Sequence, residues 1–563
     1  NTLYLNFLSR PPNFLMNMLV MHTQTQREHG RKAQLSNIQA ARAVADIIRT
    51  TLGPRAMLKM ILDPTGNIQL TNDGNTILRE VDVAHPAAKN MIELSRTQDE
   101  EVGDGTTSVI IMASELLKVS EPFLLKNMHP RIIIAAYYKA LDVALEQLSK
   151  HAVTLDIQDK SRLLQIVNTT LGTKFTARFG DLISNLAIDA VRTVYCKNET
   201  GQVEIDVKRY VRVERIVGDY LENSHVLDGI LLNKDVVDSK MARRIENPRI
   251  VLLDCNLEYK KAESMTNVEI TKEEDWDIIL KQEEDYIQNL CNAIVAVKPD
   301  LVITEKGVSE LAAHYLHKAG CSVLRRLKKT DNNRIARATG ATIVHDPRDL
   351  KETDVGTGCG LFEVRKIGDE YYSYIEKCKD PKACTVILRG ASKDILQEIE
   401  RNLQDAMAVV RNIMLDPRIV PGGGASEMSV ASAIYHHIGA VPGTQQAPYK
   451  AVAAAMEIIP RTLSENCGAK TIRLITELRA KHHINVESGD DEGFYWGIDG
   501  IQGELTEINK LDLWEPMLVK TQTLKTAIEA ASMLLRIDAI VSGLRNPEAK
   551  GDAAGAAPNE EDE

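Results

Sequence analysis

The stretch Gly103-Asp104-Gly105-Thr106-Thr107-Ser108 decides how the rest of the chain is read. Its two glycines let the backbone approach a ligand closely and turn successive N–H groups toward one point. The three hydroxyls that follow can donate to phosphate oxygens, and the aspartate between the glycines is placed to hold a hard cation such as Mg²⁺. The apolar run Val109-Ile110-Ile111-Met112-Ala113 comes directly after and predicts the start of a helix. A helix N-terminus carries unpaired N–H groups and a partial positive charge, so it suits an anion. The stretch therefore reads as a nucleotide-phosphate cradle with its own metal ligand. It is neither a P-loop of the form G-x-x-x-x-G-K-[ST] nor a dinucleotide G-x-G-x-x-G, both of which are absent.

Outward from the cradle, three further segments carry matching chemistry. Asn72-Asp73-Gly74-Asn75 is a second acidic turn, unspecific alone because these are common turn residues, but it precedes the cradle by only 30 residues or so. Asp405 lies in Asn402-Leu403-Gln404-Asp405-Ala406 on a predicted helix whose apolar stripe is Ile395, Ile399, Leu403 and Ala406. Gly422-Gly423-Gly424 precedes a helix predicted from Ala425, and either cradles phosphate or ribose or serves as a flexible joint. If these motifs serve one site, the two ends of the chain fold together. The stretch from Ser108 to Asp405 is far too long for a loop, so the middle is an insertion into a base built from both ends.

The flanking patterns fit that division. Ile38, Ala41, Ala45 and Ile48 share one face of a helix that Asn37 is expected to cap and Leu52-Gly53-Pro54 to end. Met60-Ile61-Leu62, the turn Asp63-Pro64-Thr65-Gly66-Asn67 and Ile68-Gln69-Leu70-Thr71 predict a hairpin, whose edge could pair with another chain. The middle differs: Ile250-Val251-Leu252-Leu253, Leu301-Val302-Ile303, Ala341-Thr342-Ile343-Val344 and Thr385-Val386-Ile387-Leu388 alternate with helical patterns such as Ser309 to Lys318, which predicts an α/β domain.

The 563 residues suffice for about three to five folded units. With 44% hydrophobic and 26% charged residues, the chain reads as an ordinary globular protein with a sizeable core. A net charge of −11, from 68 basic and 79 acidic residues, opposes a general nucleic-acid-binding role. No apolar run approaches the ~18 residues that span a bilayer. The eight cysteines are scattered without a Cys-x-x-Cys pair, which points to a reducing, cytosolic setting; Cys378 and Cys384 are close enough in sequence to bridge, but are expected as thiols. His314, His317 and Cys321 fall at i, i+3 and i+7, a spacing open to zinc, yet without an obvious fourth ligand. His436-His437 and His482-His483 receive no role.

Taken in order, Leu52-Gly53-Pro54, Thr71-Asn72-Asp73-Gly74, Gly103-Asp104-Gly105-Thr106-Thr107, Asp405-Ala406 and Pro421-Gly422-Gly423-Gly424-Ala425 make the chain resemble a group II chaperonin subunit from about Gly30 to Gly543. Finer features resemble one particular paralogue of the eukaryotic cytosolic chaperonin: Gln98-Asp99-Glu100-Glu101-Val102, Cys378-Lys379-Asp380-Pro381-Lys382-Ala383-Cys384, and Ile537-Asp538 before Val541-Ser542-Gly543. The resemblance implies a multidomain α and α/β fold. A mostly helical equatorial ATPase domain would span 30–158 and 418–545, a small α/β intermediate domain 159–230 and 386–417, and an α/β apical domain 231–385. The apical domain would carry a helical protrusion near Glu258 to Gln288, with Met265, Val268, Ile270, Trp276, Ile278 and Ile279 as its apolar contacts. Disordered ends would cover 1–29 and 546–563.

The same resemblance implies roles for single residues. Gly53 would lie against ATP or ADP, Asp104 would bind Mg²⁺, and Gly105, Thr106, Thr107 and Ser108 would hold phosphate. Asp73 and Asp405 would orient the attacking water. Thr173 and Lys174 match a nucleotide-sensing loop, with Lys174 reaching toward the γ-phosphate. Gly422, Gly500, Glu515 and Lys520 match positions around ribose and base, although the segment Asn485 to Tyr495 is longer than the family pattern. The implied activity is ATP hydrolysis that closes a double ring with a built-in lid around cytosolic clients such as actin and tubulin. Its partners would be seven paralogous subunits in eight-membered rings, with no nucleic acid and no membrane. A small-molecule kinase or ligase using the same ATP site is the alternative, and a scaffold without turnover is disfavoured by the three aspartates.

Overall fold

The computed structural model describes residues 26–62, 66, 68–174, 179–197, 201, 203–259, 273–488 and 491–542. Its apolar side chains gather in three large cores. One draws on Ile38 to Leu148 and again on Val420 to Leu535. A second draws on Leu155 to Leu221 and on Cys384 to Ile419. The third lies wholly between Ile230 and Ala383.

The first core is helical. At its centre runs Thr106–Leu125, in which Val109, Ile110, Ile111, Met112 and Ala113 are all buried. A helix apolar on every side needs neighbours all round, and Arg31–Ile48, Pro86–Glu101, Gly443–Met456 and Met517–Leu535 supply them. Arg31–Ile48 buries Ile38, Ala41, Ala45 and Ile48 as its periodicity predicts, but starts earlier than expected. Asn37 is an interior, buried residue of that helix rather than its cap. The chain ends meet on this body: Gln26–His29 pairs antiparallel with Ala539–Ser542, so His29 faces Ala539 and Gln26 faces Ser542. The order expected to begin at residue 30 thus begins by residue 26, because a main-chain ladder ties that segment down. Lys59–Leu62 and Ile68–Thr71 form the predicted hairpin, with Met60, Leu62 and Ile68 exposed.

A narrow strand neck leads out of the base and back. Val153–Thr154 lies antiparallel to Arg418–Pro421, with Ile419 opposite Val153, and Leu155 N–H donates to the Pro417 carbonyl at 2.8 Å. Beyond it, the second core packs Lys160–Leu171, Leu182–Val194 and Lys393–Leu415 on a sheet of Val211–Val217, Cys384–Gly390 and His225–Leu227. Lys393–Leu415 buries Leu396, Ile399, Leu403, Ala406, Met407 and Val410, whereas Ile395, expected on the stripe, is exposed at the helix start.

The third core is α/β. Its parallel sheet runs Ser322–Leu324, Leu301–Thr304, Ile250–Leu253, Ile343–Val344 in spatial order, with all residues of the two central strands buried. Strands covered on both faces read as unbroken apolar runs, which is why these two were visible in the sequence. The run at Thr385-Val386-Ile387-Leu388 belongs instead to the sheet of the second core, parallel to Val211–Val217. Consequently Cys378 and Cys384 are packed in different cores and are not bridged; all eight cysteines are free. Cys384 Sγ–H points at the Ala190 carbonyl, 3.6 Å away. The third core is fastened to the second through helix Lys329–Thr339. Asp331 pairs with Arg212, Arg334 Nε donates to the Arg209 carbonyl at 2.6 Å, and the Arg337 guanidinium stacks 3.8 Å from the Tyr210 ring centre.

One sequence spacing is not kept in three dimensions. Helix Glu310–Lys318 ends before Cys321, past a left-handed Gly320, so His314, His317 and Cys321 do not share a helix face. No group of three metal-ligating side chains is found among the described residues. Met265, Val268 and Ile270 of the expected protrusion lie outside the described residues, as does most of both termini; Trp276, Ile278 and Ile279 fall on helix Glu273–Ala296. No helix among the described residues is long and apolar enough to cross a membrane.

Candidate nucleotide site

A cavity of about 660 Å³ opens where the first and second cores meet. Its floor is the cradle. Gly103 and Gly105 both adopt left-handed backbone, at φ +67° and +76°, and Gly105 caps helix Thr106–Leu125. The helix therefore presents its first N–H groups and the Thr106, Thr107 and Ser108 hydroxyls to the cavity. Asp104 is held by its surroundings: one carboxylate oxygen accepts from Gly105 N–H at 2.7 Å. The Gln98 side-chain amide donates to the Asp104 carbonyl and to Thr523 Oγ1, both at 3.1 Å. Gln98 is fully buried, one turn ahead of the cradle, and ties it to helix Met517–Leu535.

The second acidic turn lies against this floor. Asp73 caps helix Gly74–Glu80, with one carboxylate oxygen accepting from Thr76 N–H at 3.0 Å and from Thr76 Oγ1 at 2.7 Å. Its other oxygen is 3.4 Å from Thr106 Oγ1. Gly74 permits the approach, since a Cβ there would stand 2.6 Å from Thr107 Oγ1. Asn72 donates to the Thr173 carbonyl at 2.7 Å, which fixes the loop that carries Lys174.

Lys174 and Asp405 close the cavity from the second core. They form an ion pair, with 12% and 16% of their side chains exposed. Asp405 is brought here by helix Lys393–Leu415, which is sewn to the cradle. Ala408 packs against Gly103, Asn412 Nδ2 donates to the Val102 carbonyl at 2.7 Å, and Arg411 donates to the Glu101 carbonyl. Burial pushes the nearby Asp99 carboxyl up, with the Asp73 charge adding to the shift and Lys208 and Lys174 opposing it.

The far wall comes mostly from the C-terminal third, with Gly53 and Pro54 joining it from near the other end of the chain. Gly53, Gly500, Glu515 and Lys520 line it, with Pro54, Ile498, Ile501, Leu511, Leu513 and Val519 supplying apolar surface. Gly423 and Gly424 also line it, while Gly422 stands just behind, where a Cβ would meet Glu515 Oε1 at 2.8 Å. Lys520 is buried between two carboxylates, 2.7 Å from Glu427 and 2.7 Å from Glu515. Burial works against its charge, yet the two carboxylates outweigh that and hold the ammonium above its usual range. Among the residues proposed from sequence, all but Gly422 reach the cavity wall. Gln98, Asn72 and Glu427 were not singled out for the site; Glu427 alone had a readable signal, a carboxylate one turn into the helix that follows three glycines.

A floor of helix N–H groups and hydroxyls, carboxylates on two opposed elements and an apolar far wall give the cavity the donor, acceptor and apolar surfaces that a nucleoside polyphosphate would need. Residues 44–544 match the TCP-1/cpn60 chaperonin family, and the chain belongs to that family. It is 57% identical to T-complex protein 1 subunit gamma of Homo sapiens over 543 residues, covering 96% of this chain and 98% of that protein. The corresponding protein of Oxytricha granulifera is 57% identical over 536 residues, 95% of each chain. That of Thalassiosira weissflogii is 56% identical over 544 residues, 93% of this chain and 98% of its own.

Proposed function

We propose that this chaperonin subunit binds ATP with Mg²⁺ in the cavity and hydrolyses it, and that hydrolysis drives closure of a ring around non-native proteins. The observation that carries the reading is the convergence of Asp73, Asp104 and Asp405 on one cavity whose floor is the Gly103–Ser108 cradle. The donor set suits the metal: Asp104 has a carboxylate oxygen beyond the one held by Gly105, and hard oxygen ligands are what Mg²⁺ takes. Asp104 would hold the ion, which when bound neutralises charge developing on the phosphates.

The rest falls to the chain's own groups. Backbone N–H groups from Gly105 onward and the Thr106, Thr107 and Ser108 hydroxyls would donate to phosphate oxygens. Gly53, Gly500, Glu515 and Lys520 would bound the sugar and base, with Gly422 behind them and Thr173 holding the Lys174 loop. Lys174 would leave Asp405 for the γ-phosphate. Freed of its partner, Asp405 would work with Asp73 to orient the attacking water and accept its proton. In phosphoryl transfer such positioning and charge placement supply most of the catalysis. Because Asp405 rides on the second core, bringing it to the phosphate would also move that core, as when a lid completes an active site.

The domain scheme belongs to the same proposal: an equatorial domain from both chain ends, an intermediate domain around the second core and an apical, client-binding domain around the third. The kinship with gamma subunits supports assembly with paralogous subunits into double rings of eight, in the cytoplasm, with clients such as actin and tubulin. Electron microscopy of the purified native particle, paired with phosphate release on addition of ATP, tests it. A double ring that releases phosphate and folds denatured actin is expected; a monomer, or a ring without turnover at this subunit's site, overturns it.

A further inference from the structure

Among the described residues, Glu427 is the one carboxylate of the cavity with a buried oxygen that lacks a hydrogen-bond partner. It sits in the first turn of helix Ala425–His436 and is 6% exposed. Its Oε1 accepts from Lys520 Nζ at 2.7 Å, while its Oε2 is buried without a hydrogen-bond partner and its side chain lines the cavity. A helix N-terminus favours a carboxylate's charge, and Lys520 gives it a counter-ion. Neither satisfies the second oxygen, and a buried acceptor left unpaired costs about 1–3 kcal/mol. Such a group calls for a partner from outside the chain or for a special role, and in a side chain that lines a cavity a ligand donor is one way to supply that partner.

The charge of the cluster selects the ligand group. Lys520 carries one positive charge against the two carboxylates Glu427 and Glu515. A net negative, water-poor cluster repels phosphate and accepts from neutral donors. ATP offers two kinds, the ribose hydroxyls and the adenine amine. The cluster lies on the phosphate side of the far wall: Val519, the chain neighbour of Lys520, stands against the cradle, where a Cβ on Gly105 would meet its Cγ1 at 3.3 Å. The apolar surface suited to a base is formed by Ile498, Ile501, Leu511 and Leu513. Sugar hydroxyls stand between phosphate and base, whereas the amine is on the base's distant edge.

We propose that Glu427, through its free Oε2, accepts a hydrogen bond from a ribose hydroxyl and makes the site select ribonucleotides over deoxyribonucleotides, with Lys520 holding the carboxylate in place. This rests on the ATP reading of the cavity. Glu427 is then a ligand-binding residue in its own right, and the Glu427–Lys520–Glu515 cluster works as one sugar clamp. The clamp accounts for a lysine kept charged in a buried position: its ammonium lets two carboxylates approach the same sugar without repelling each other apart.

The test is calorimetric titration of ATP, 2′-dATP, 3′-dATP and ITP into the full-length chain and its Glu427→Gln variant, with Glu427→Asp as a second variant that keeps the charge. The unaltered chain is expected to bind ATP about 10-fold or more tighter than at least one deoxynucleotide, the worth of one hydrogen bond to a charged group. In Glu427→Gln that preference should collapse toward unity, through loss of ATP affinity with little change for the deoxynucleotide. Glu427→Asp, still charged but shorter, should fall between. Equal weakening of all four nucleotides in both variants would mean that Glu427 serves only as the lysine's counter-ion, and a loss confined to the ATP–ITP difference would place it on the base; either overturns the assignment. An unaltered chain that binds ATP but does not discriminate sugars also overturns it and leaves the ATP site standing. A chain that binds no nucleotide overturns the ATP site and this inference together.

Discussion

Lys174 and Asp405, 231 positions apart in the chain, are ion-paired across the cavity mouth. An aspartate so engaged is a poor acceptor for a proton from water, and a lysine so engaged is not yet on a phosphate. The two roles proposed for them are thus mutually exclusive until a γ-phosphate competes for the ammonium. Asp405→Ala is expected to lower single-turnover hydrolysis by about 10²–10⁴-fold, the usual worth of a positioned acid or base, with ATP affinity little changed. Lys174→Ala should instead lower the preference for ATP over ADP by roughly 10-fold, read by competition titration. A Lys174 variant that binds ATP and ADP in the unaltered ratio would remove it from γ-phosphate sensing.

Asp104 offers a second check. Asp104→Asn should raise the magnesium concentration needed for half-maximal hydrolysis by about 10-fold or more, since ligand charge sets affinity for a hard cation. Chelation of magnesium should stop phosphate release in the unaltered chain. Phosphate release plotted against free magnesium for the two chains measures both.

Gly103 combines two constraints that can be separated. Its φ of +67° disfavours any side chain, and a Cβ would stand 2.3 Å from that of Ala408. Gly103→Ala should therefore destabilise the chain by about 1–3 kcal/mol, from overpacking together with backbone strain. Gly180, at φ +57° with nothing within 4 Å, isolates the backbone part. Urea unfolding of the two alanine variants should show Gly103→Ala as the more damaging, and only Gly103→Ala should also slow hydrolysis, because Ala408 is one helical turn from Asp405.

His482 sets an acid limit on the base. Burial lowers its pKa from 6.5 to about 4, only partly offset by the bond from Nε2 to the Trp496 carbonyl at 2.9 Å. Between those values the unfolded chain binds the proton and the folded chain does not, so stability falls as pH drops below 6.5 and the loss levels off near 4. The full loss is about 3 kcal/mol. Urea midpoints at pH 7.5 and 5 should converge in His482→Asn, which lacks the titrating group; an undiminished acid sensitivity in that variant would assign it elsewhere.

What the sequence made legible follows the range of each force. The cradle was visible because left-handed glycines and a helix start are local. The hairpin and the two central parallel strands were visible for the same reason, their patterns being complete within a few residues. What remained hidden depends on partners far along the chain. Gln98 matters through Thr523, and Asn72 through Thr173. Thr385-Val386-Ile387-Leu388 reads like Leu301-Val302-Ile303, and only its pairing with Val211–Val217 decides which sheet receives it. Asn37 was mistaken for a cap because the large apolar residues of its helix begin just after it, at Ile38, although the helix itself begins at Arg31 and already buries Ala33. His482 and His483 were given no role as neighbours on one helix, yet His482 is buried while the His483 ring meets His436 edge-on at 5.3 Å.

The neck at Val153–Thr154 and Arg418–Pro421 has a practical corollary. Two adjacent antiparallel strands mark where the polypeptide departs and rejoins, so a tight turn could replace everything between Leu155 and Pro417 without spanning a gap. A truncated base built that way retains Gly53, Asp73 and the cradle but is stripped of Lys174 and Asp405. It would grip its nucleotide and leave it uncut, a ready-made instrument for weighing occupancy apart from turnover.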